Sequence, residues 1–274
     1  MRAGMIDAMA FWLREANIDG FRCDVASEVP TDFWDAAADS LRAINKEIFM
    51  LAEAEYPELH QQAFNAGYGW EWLHIINGVA KGEKSLDDID TYMAKADTAF
   101  PNGAYKMYFT TNHDENSWNG TVFDRFGEGH LAFAAVTFTI DGMPLVYSGQ
   151  EAGLNYALKF FEKDTVKWGD YAYMGFYTRL FQLKLANQAL WNGDHGGDFK
   201  RLKTTADDHV YAFIRTKGDN QVVTIANLSD KNTKLTFESL PEGDFKSLFD
   251  QERLDLIAQN GLELAPWGYH VFYR

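Results

Sequence analysis

Apolar residues recur at Met5, Ala8, Met9, Trp12, Leu13 and Ala16, the three-and-four spacing of an amphipathic helix over residues 5–16. Asn17 follows, a residue that tolerates the left-handed conformation that ends helices. The period then changes. Over Ile18–Ala26, alternation puts Gly20, Arg22 and Asp24 on one face of a strand and Phe21, Cys23 and Val25 on the other. The second set is apolar and suits packing under helices. The first places a guanidinium two residues from a carboxylate, where it holds Asp24 ionised and oriented.

The same two periods alternate along the next 170 or so residues. Pro30 or Thr31 starts a helix whose apolar face is Phe33, Trp34, Ala37, Leu41 and Ile44. Glu47–Glu55 reads as a short buried strand ending in carboxylates, and the aromatic-rich residues 62–82 as a strand and a following helix. Ser85 and Asp88 open a helix to Ala96 with a capping box. Lys106–Asp114 is a third strand that ends in acid-bearing residues, Leu131–Ile140 an apolar helix, Asp141–Glu151 a fourth strand and Tyr177–Leu190 a last amphipathic helix. Strand and helix in alternation imply a parallel sheet, so residues 1–192 form an α/β domain. Glycines at 193, 196 and 197 then give way to short alternating runs such as His209–Ile214, Val222–Ala226, Lys234–Phe237 and Tyr269–Tyr273. Gly218-Asp219-Asn220 is a hairpin signal between the first two. Residues 197–274 therefore read as a small antiparallel β domain. No internal repeat or low-complexity segment interrupts either part.

Composition narrows the partners. With 40 acidic and 25 basic residues the net charge is -15, which opposes nucleic acid and anionic membranes. No stretch reaches the ~20 apolar residues of a membrane span. Met1 runs almost at once into the amphipathic stretch, which is not the pattern of a signal peptide; the compartment stays unknown. Cys23 is the single cysteine, so there is no disulfide framework and no cysteine-rich zinc site. Aromatics at 15% supply a large core and also suit sugar rings, whose C–H faces stack on aromatic ones.

Three strands of the first domain end in acids: Asp24, Glu53 and Asp114. A parallel sheet presents all its carboxyl ends on one side, the side that carries chemistry in a (β/α) barrel. Converging carboxylates serve a metal site or glycoside hydrolysis, which needs one ionised carboxylate and one kept protonated. Arg22 favours Asp24 as the ionised partner. Glu53 follows the apolar run Ile48–Ala52 with no basic neighbour in sequence, so desolvation raises its pKa as a general acid requires. His113 beside Asp114 can donate to a sugar hydroxyl. There is no glycine-rich phosphate loop to support phosphoryl transfer with the same acids.

Four segments carry a resemblance. Gly20-Phe21-Arg22-Cys23-Asp24 resembles the nucleophile segment of the α-amylase family, and Ala52-Glu53-Ala54 falls where that family has its acid/base. Asn112-His113-Asp114 resembles its seventh-strand segment, and Gly142 to Glu151, with Pro144 and Gly149, its eighth-strand segment. The resemblance implies an incomplete (β/α)8 (TIM-type) barrel, strands four to eight, followed by a small antiparallel β-sandwich. It implies a retaining hydrolase of α-1,4-linked glucans with Asp24 as nucleophile, Glu53 as acid/base and Asp114 as transition-state stabiliser. Arg22 and His113 would position Asp24 and the sugar. Transglycosylation or isomerisation by the same residues, and carbohydrate binding without turnover, stay open. Tyr56, Tyr68, Trp70, Trp72 and Trp118 are candidates to stack on glucose units.

The pattern departs from the family in one respect. The third-strand segment, an aspartate a few residues before an Asn-His pair, is absent; the one Asn-His pair is Asn112-His113. The expectation is a fragment of a longer enzyme, inactive alone or prone to self-association through exposed sheet edges. No cofactor is expected, and calcium, which the family's missing segment helps to bind, has its ligands largely absent here.

Overall fold

The computed structural model describes residues 1–274. Helix α1 (Arg2–Ala16) ends at Asn17 with φ 49° and ψ 43°, the left-handed cap read from the sequence. Five strands follow in one parallel sheet, ordered as in the chain: β1 (Gly20–Cys23), β2 (Phe49–Ala52), β3 (Ala66–Tyr68), β4 (Tyr105–Tyr108) and β5 (Met143–Pro144). A Cβ at Gly20 would sit 1.8 Å from the Phe49 carbonyl oxygen, so only glycine lets β1 pair with β2 at that point. Helices α2 (Thr31–Arg42), α3 (Trp70–Ala80) and α4 (Leu86–Ala99) cross between the strands, and Ser85 and Asp88 form the expected capping box.

Successive strand residues face opposite sides. Phe21, Cys23, Met50 and Ala52 pack under α1 and α2 with Met9, Leu13, Trp34 and Leu41. Leu51, Ala66, Tyr68 and Met107 join a second cluster with Trp72, Phe109 and Phe133. Burial pushes the Cys23 thiol up to about 12 and leaves it chemically quiet.

Three expectations are corrected. The strand read over Lys106–Asp114 stops at Tyr108, and a short helix α5 (His113–Trp118) begins on Asn112, whose side chain accepts from the Glu115 amide at 2.8 Å. The strand read over Asp141–Glu151 shrinks to two residues. Its outer side has no partner and Pro144 has no N–H to give, so after Leu145 donates to Tyr108 the chain turns away. Val25 does not lie on the apolar face under the helices. It is half exposed at φ 40°, because the chain leaves the strand immediately after Cys23.

Helices α6 (Val122–Phe126), α7 (His130–Thr139) and α8 (Met174–Ala186) complete the first part. The second part is an antiparallel sheet of β6 (Asp198–Arg201), β7 (Val210–Lys217), β8 (Asn220–Asn227), β10 (Lys246–Ser247) and β12 (Tyr269–Tyr273). A pair, β9 (Thr233–Leu235) and β11 (Leu262–Leu264), and helix α9 (Leu254–Asn260) accompany it. Gly218 at φ 56° makes the two-residue turn between β7 and β8. Tyr211, Phe213 and Ala226 of this sheet, with Leu228 just beyond β8, belong to the same core cluster as Phe133 and Val136 of α7. Fully buried Arg215 reaches from β7 to Asp141 at 2.9 Å, and Thr224 donates to Thr139 at 2.8 Å. The parallel sheet and the C-terminal sheet share one interior.

Candidate active site

The carboxyl ends of β1, β2 and β4 bring all five sequence-selected residues to one rim. Arg22 is the third residue of β1, and Asp24 is the first residue beyond it. Glu53 is the first residue beyond β2, and its amide still donates to the Cys23 carbonyl at 2.9 Å. His113 and Asp114 occupy the first turn of α5, which four intervening residues separate from β4.

Arg22 is the centre of the arrangement. One terminal nitrogen meets Asp24 Oδ1 at 2.5 Å, the other meets Glu53 Oε1 at 2.6 Å, and Nε donates to the Tyr68 hydroxyl at 3.1 Å. A planar guanidinium presents its donors in a fixed fork, so this bridge sets the orientation of both acids. The sequence reading that Glu53 has no basic neighbour held only along the chain; β1 and β2 pair in register and deliver Arg22 to it. The second Glu53 oxygen accepts from the Val25 amide at 2.8 Å. Val25 achieves this at positive φ, a strained conformation for a β-branched residue, and the strain aims its N–H across the rim.

The two acids differ in setting. The Asp24 side chain is 75% exposed and that of Glu53 only 12%. The hydrogen bond from Arg22 holds Asp24 below the usual carboxylate range. Burial pushes Glu53 up, and the neighbouring Asp24 adds to that, against the opposing Val25 amide and Arg22 charge. His113 Nε2 lies 3.4 Å from Asp114 Oδ2, and donor atoms of Glu53, His113 and Asp114 all lie within 4.8 Å of one another.

Those three residues are the one cluster with metal-ligand spacing. They do not fit calcium, which takes six to eight oxygen donors. One of the three offers nitrogen, and the Arg22 charge beside Glu53 opposes a cation at the same place.

The aromatic candidates divide. Trp72 and Tyr68 are core, Trp70 packs against the core, and Tyr56 and Trp118 are exposed. Sequence reasoning missed Asn112 as a helix cap, although Asn112 with Glu115 three residues on was a legible start signal. It also missed Phe160 and Phe161, which sit in the irregular stretch 145–173 between β5 and α8, and buried Asn116, which no local pattern marks.

Comparison with known proteins identifies the family. The family model described as "Alpha amylase, catalytic domain" matches residues 1–174, and "Maltogenic Amylase, C-terminal domain" matches residues 199–271. Alpha-amylase MalA of Haloarcula japonica is 27% identical over 251 residues, covering 89% of this chain and 35% of the relative. Maltogenic alpha-amylase of Bacillus acidopullulyticus is 25% identical over 285 residues, covering 97% and 47%. The chain thus spans less than half the length of these curated relatives. Among solved structures, the maltogenic α-amylase AmyB of Thermotoga neapolitana superposes with a TM-score of 0.80 at 24% identity, covering all of this chain and 63% of that one. An α-amylase of Lactobacillus plantarum gives 0.80 at 20%, covering 100% and 66%. With the catalytic-domain match running through every strand of the parallel sheet, the chain belongs to the α-amylase family.

Proposed function

We propose that this chain carries the carboxylate centre of a retaining α-1,4-glucan hydrolase. The observation that carries the reading is the Arg22 bridge, which holds an ionised, open Asp24 and a desolvated Glu53 side by side. Two carboxyls tied to one guanidinium suit the close pairing of retaining enzymes, about 5–5.5 Å, better than the ~6.5–9.5 Å of inverting ones. Asp24 attacks the anomeric carbon as the glycosidic C–O bond breaks, and Glu53 gives its proton to the departing oxygen. Glu53 then takes a proton from water, which displaces Asp24 and regenerates both acids. Asp114 and His113 hold hydroxyls of the ring being cut, where charge develops. The relatives' names, amylases and cyclomaltodextrinases, support α-glucans as the substrate class.

The test is reducing-sugar release from maltoheptaose by the purified chain and by Asp24→Asn. Release by the parent and its loss in the variant are expected; equal release by both would remove Asp24 from the nucleophile's role. The openness of Asp24 favours a second reading, glucan binding without turnover, and binding of maltoheptaose with no product would select it. We further propose that copies of the chain associate through the unpaired edges of β1 and β5; Met5, Phe11 and Trp12 of α1, the helix that leads into β1, are also exposed. Light scattering showing only monomer across a concentration series would refute that.

A further inference from the structure

We infer that Trp118, Phe160 and Phe161 form a preformed stacking platform for a glucosyl ring of the same α-glucan chain, beyond the ring held at the carboxylates. The inference rests on the hydrolase reading for its substrate class but on separate residues for its site. The three rings form one cluster, with centroids 5.2 Å apart for Trp118–Phe160, 5.9 Å for Trp118–Phe161 and 4.9 Å for Phe160–Phe161. Phe160 stacks on His113 at 6.3 Å and 22°, so the platform is continuous with the acid rim. It faces water: Trp118 is 59% exposed, Phe160 42% and Phe161 85%.

Exposed apolar rings that are also held in place mark binding sites rather than loose loops. These are held from both sides. Buried Asn116, two residues before Trp118, accepts from the Leu158 amide at 2.8 Å and donates to the Tyr156 carbonyl at 3.3 Å, tying α5 to the loop that carries both phenylalanines. Asp164 accepts from the Lys159 and Thr165 amides at 3.0 and 2.8 Å, and the Tyr156 hydroxyl donates to the Thr165 carbonyl at 2.8 Å. Ordering is therefore complete before a ligand arrives. A pyranose suits the surface because its C–H face covers aromatic carbon while its hydroxyls stay in water. A flat apolar partner would leave the adjacent His113 and Asp114 without polar contacts.

The experiment titrates maltoheptaose into the full chain by calorimetry, with Phe161→Ala, Phe161→Tyr, Trp118→Phe and Asp24→Asn beside the parent. Phe161→Ala should weaken binding roughly two- to tenfold, the scale of one aromatic stacking contact, and Phe161→Tyr should restore it. Trp118→Phe should keep the affinity and lose the ligand-induced change in tryptophan fluorescence. Equal affinity in the parent and Phe161→Ala overturns the platform, as does a parent that binds no maltoheptaose at millimolar concentration. Turnover in Asp24→Asn reports on the hydrolase reading separately: weakened binding in Phe161→Ala together with unimpaired hydrolysis by Asp24→Asn keeps the platform and removes Asp24 as nucleophile.

Discussion

Acid should destabilise this protein through His60 before the carboxylates of the rim are protonated. His60 lies in the turn after β2, 6% exposed, with neither ring nitrogen hydrogen-bonded. Its neighbours are the Phe100 ring at 5.4 Å and the backbone of Gly67, where an added Cβ would meet His60 Nε2 at 2.8 Å. Burial, with the charge of nearby Lys106, lowers its pKa to about 4 against an ordinary 6.5. The unfolded chain therefore binds a proton between those values that the folded chain refuses, and stability falls as pH drops from 6.5 towards 4. The gap is worth about 3 kcal/mol in full, and about 2.5 kcal/mol is lost by about pH 4.5. Urea denaturation of the parent and His60→Leu at about pH 7.5 and 4.5 measures it. The leucine variant should lose about 2.5 kcal/mol less than the parent between the two pH values. An identical loss in both would refute the reasoning, because His60 would then be hydrated or charged in the folded state. His130, buried on α7 and likewise lowered to about 4, contributes in the same direction and is unaffected by the substitution.

Other outcomes follow from single contacts. Asn116→Ala strands the Leu158 amide and the Tyr156 carbonyl; it should cost about 1–3 kcal/mol and speed hydrogen exchange over residues 156–165, and an unchanged exchange pattern would count against the tie. Trp72→Ala removes a fully buried indole from the shared core and should cost about 3–5 kcal/mol by denaturant titration. Because that core includes both sheets, calorimetry should show one unfolding transition, and two resolved peaks would mean that they fold independently.

The legibility of the chain varied with the range of the forces involved. Local periodicity sufficed for α1, α2 and the β7–β8 hairpin, since helix faces, caps and turn glycines act within a few residues. It failed where long-range pairing ended an element. The Lys106–Asp114 run looks like a strand, yet pairing with β3 ends at Met107 and with β5 at Tyr108, and a helix begins at His113. The 141–151 run pairs for only two residues, because a single neighbour supports it.

The sequence by itself determined which residues could do chemistry. An arginine two residues from an aspartate, a glutamate after an apolar run, and a histidine–aspartate pair are covalent facts, and a parallel sheet sends strand ends to one side. Tertiary structure alone decided how they interact. Register between β1 and β2 hands Arg22 to Glu53 as well as Asp24, and the left-handed turn at Val25 adds an amide. Neither is encoded in spacing, because both depend on which backbone lies alongside. The aromatic surface follows the same rule. Trp72 and Trp118 are the same residue type, and one is core while the other faces water, because burial belongs to the packed whole and not to the side chain.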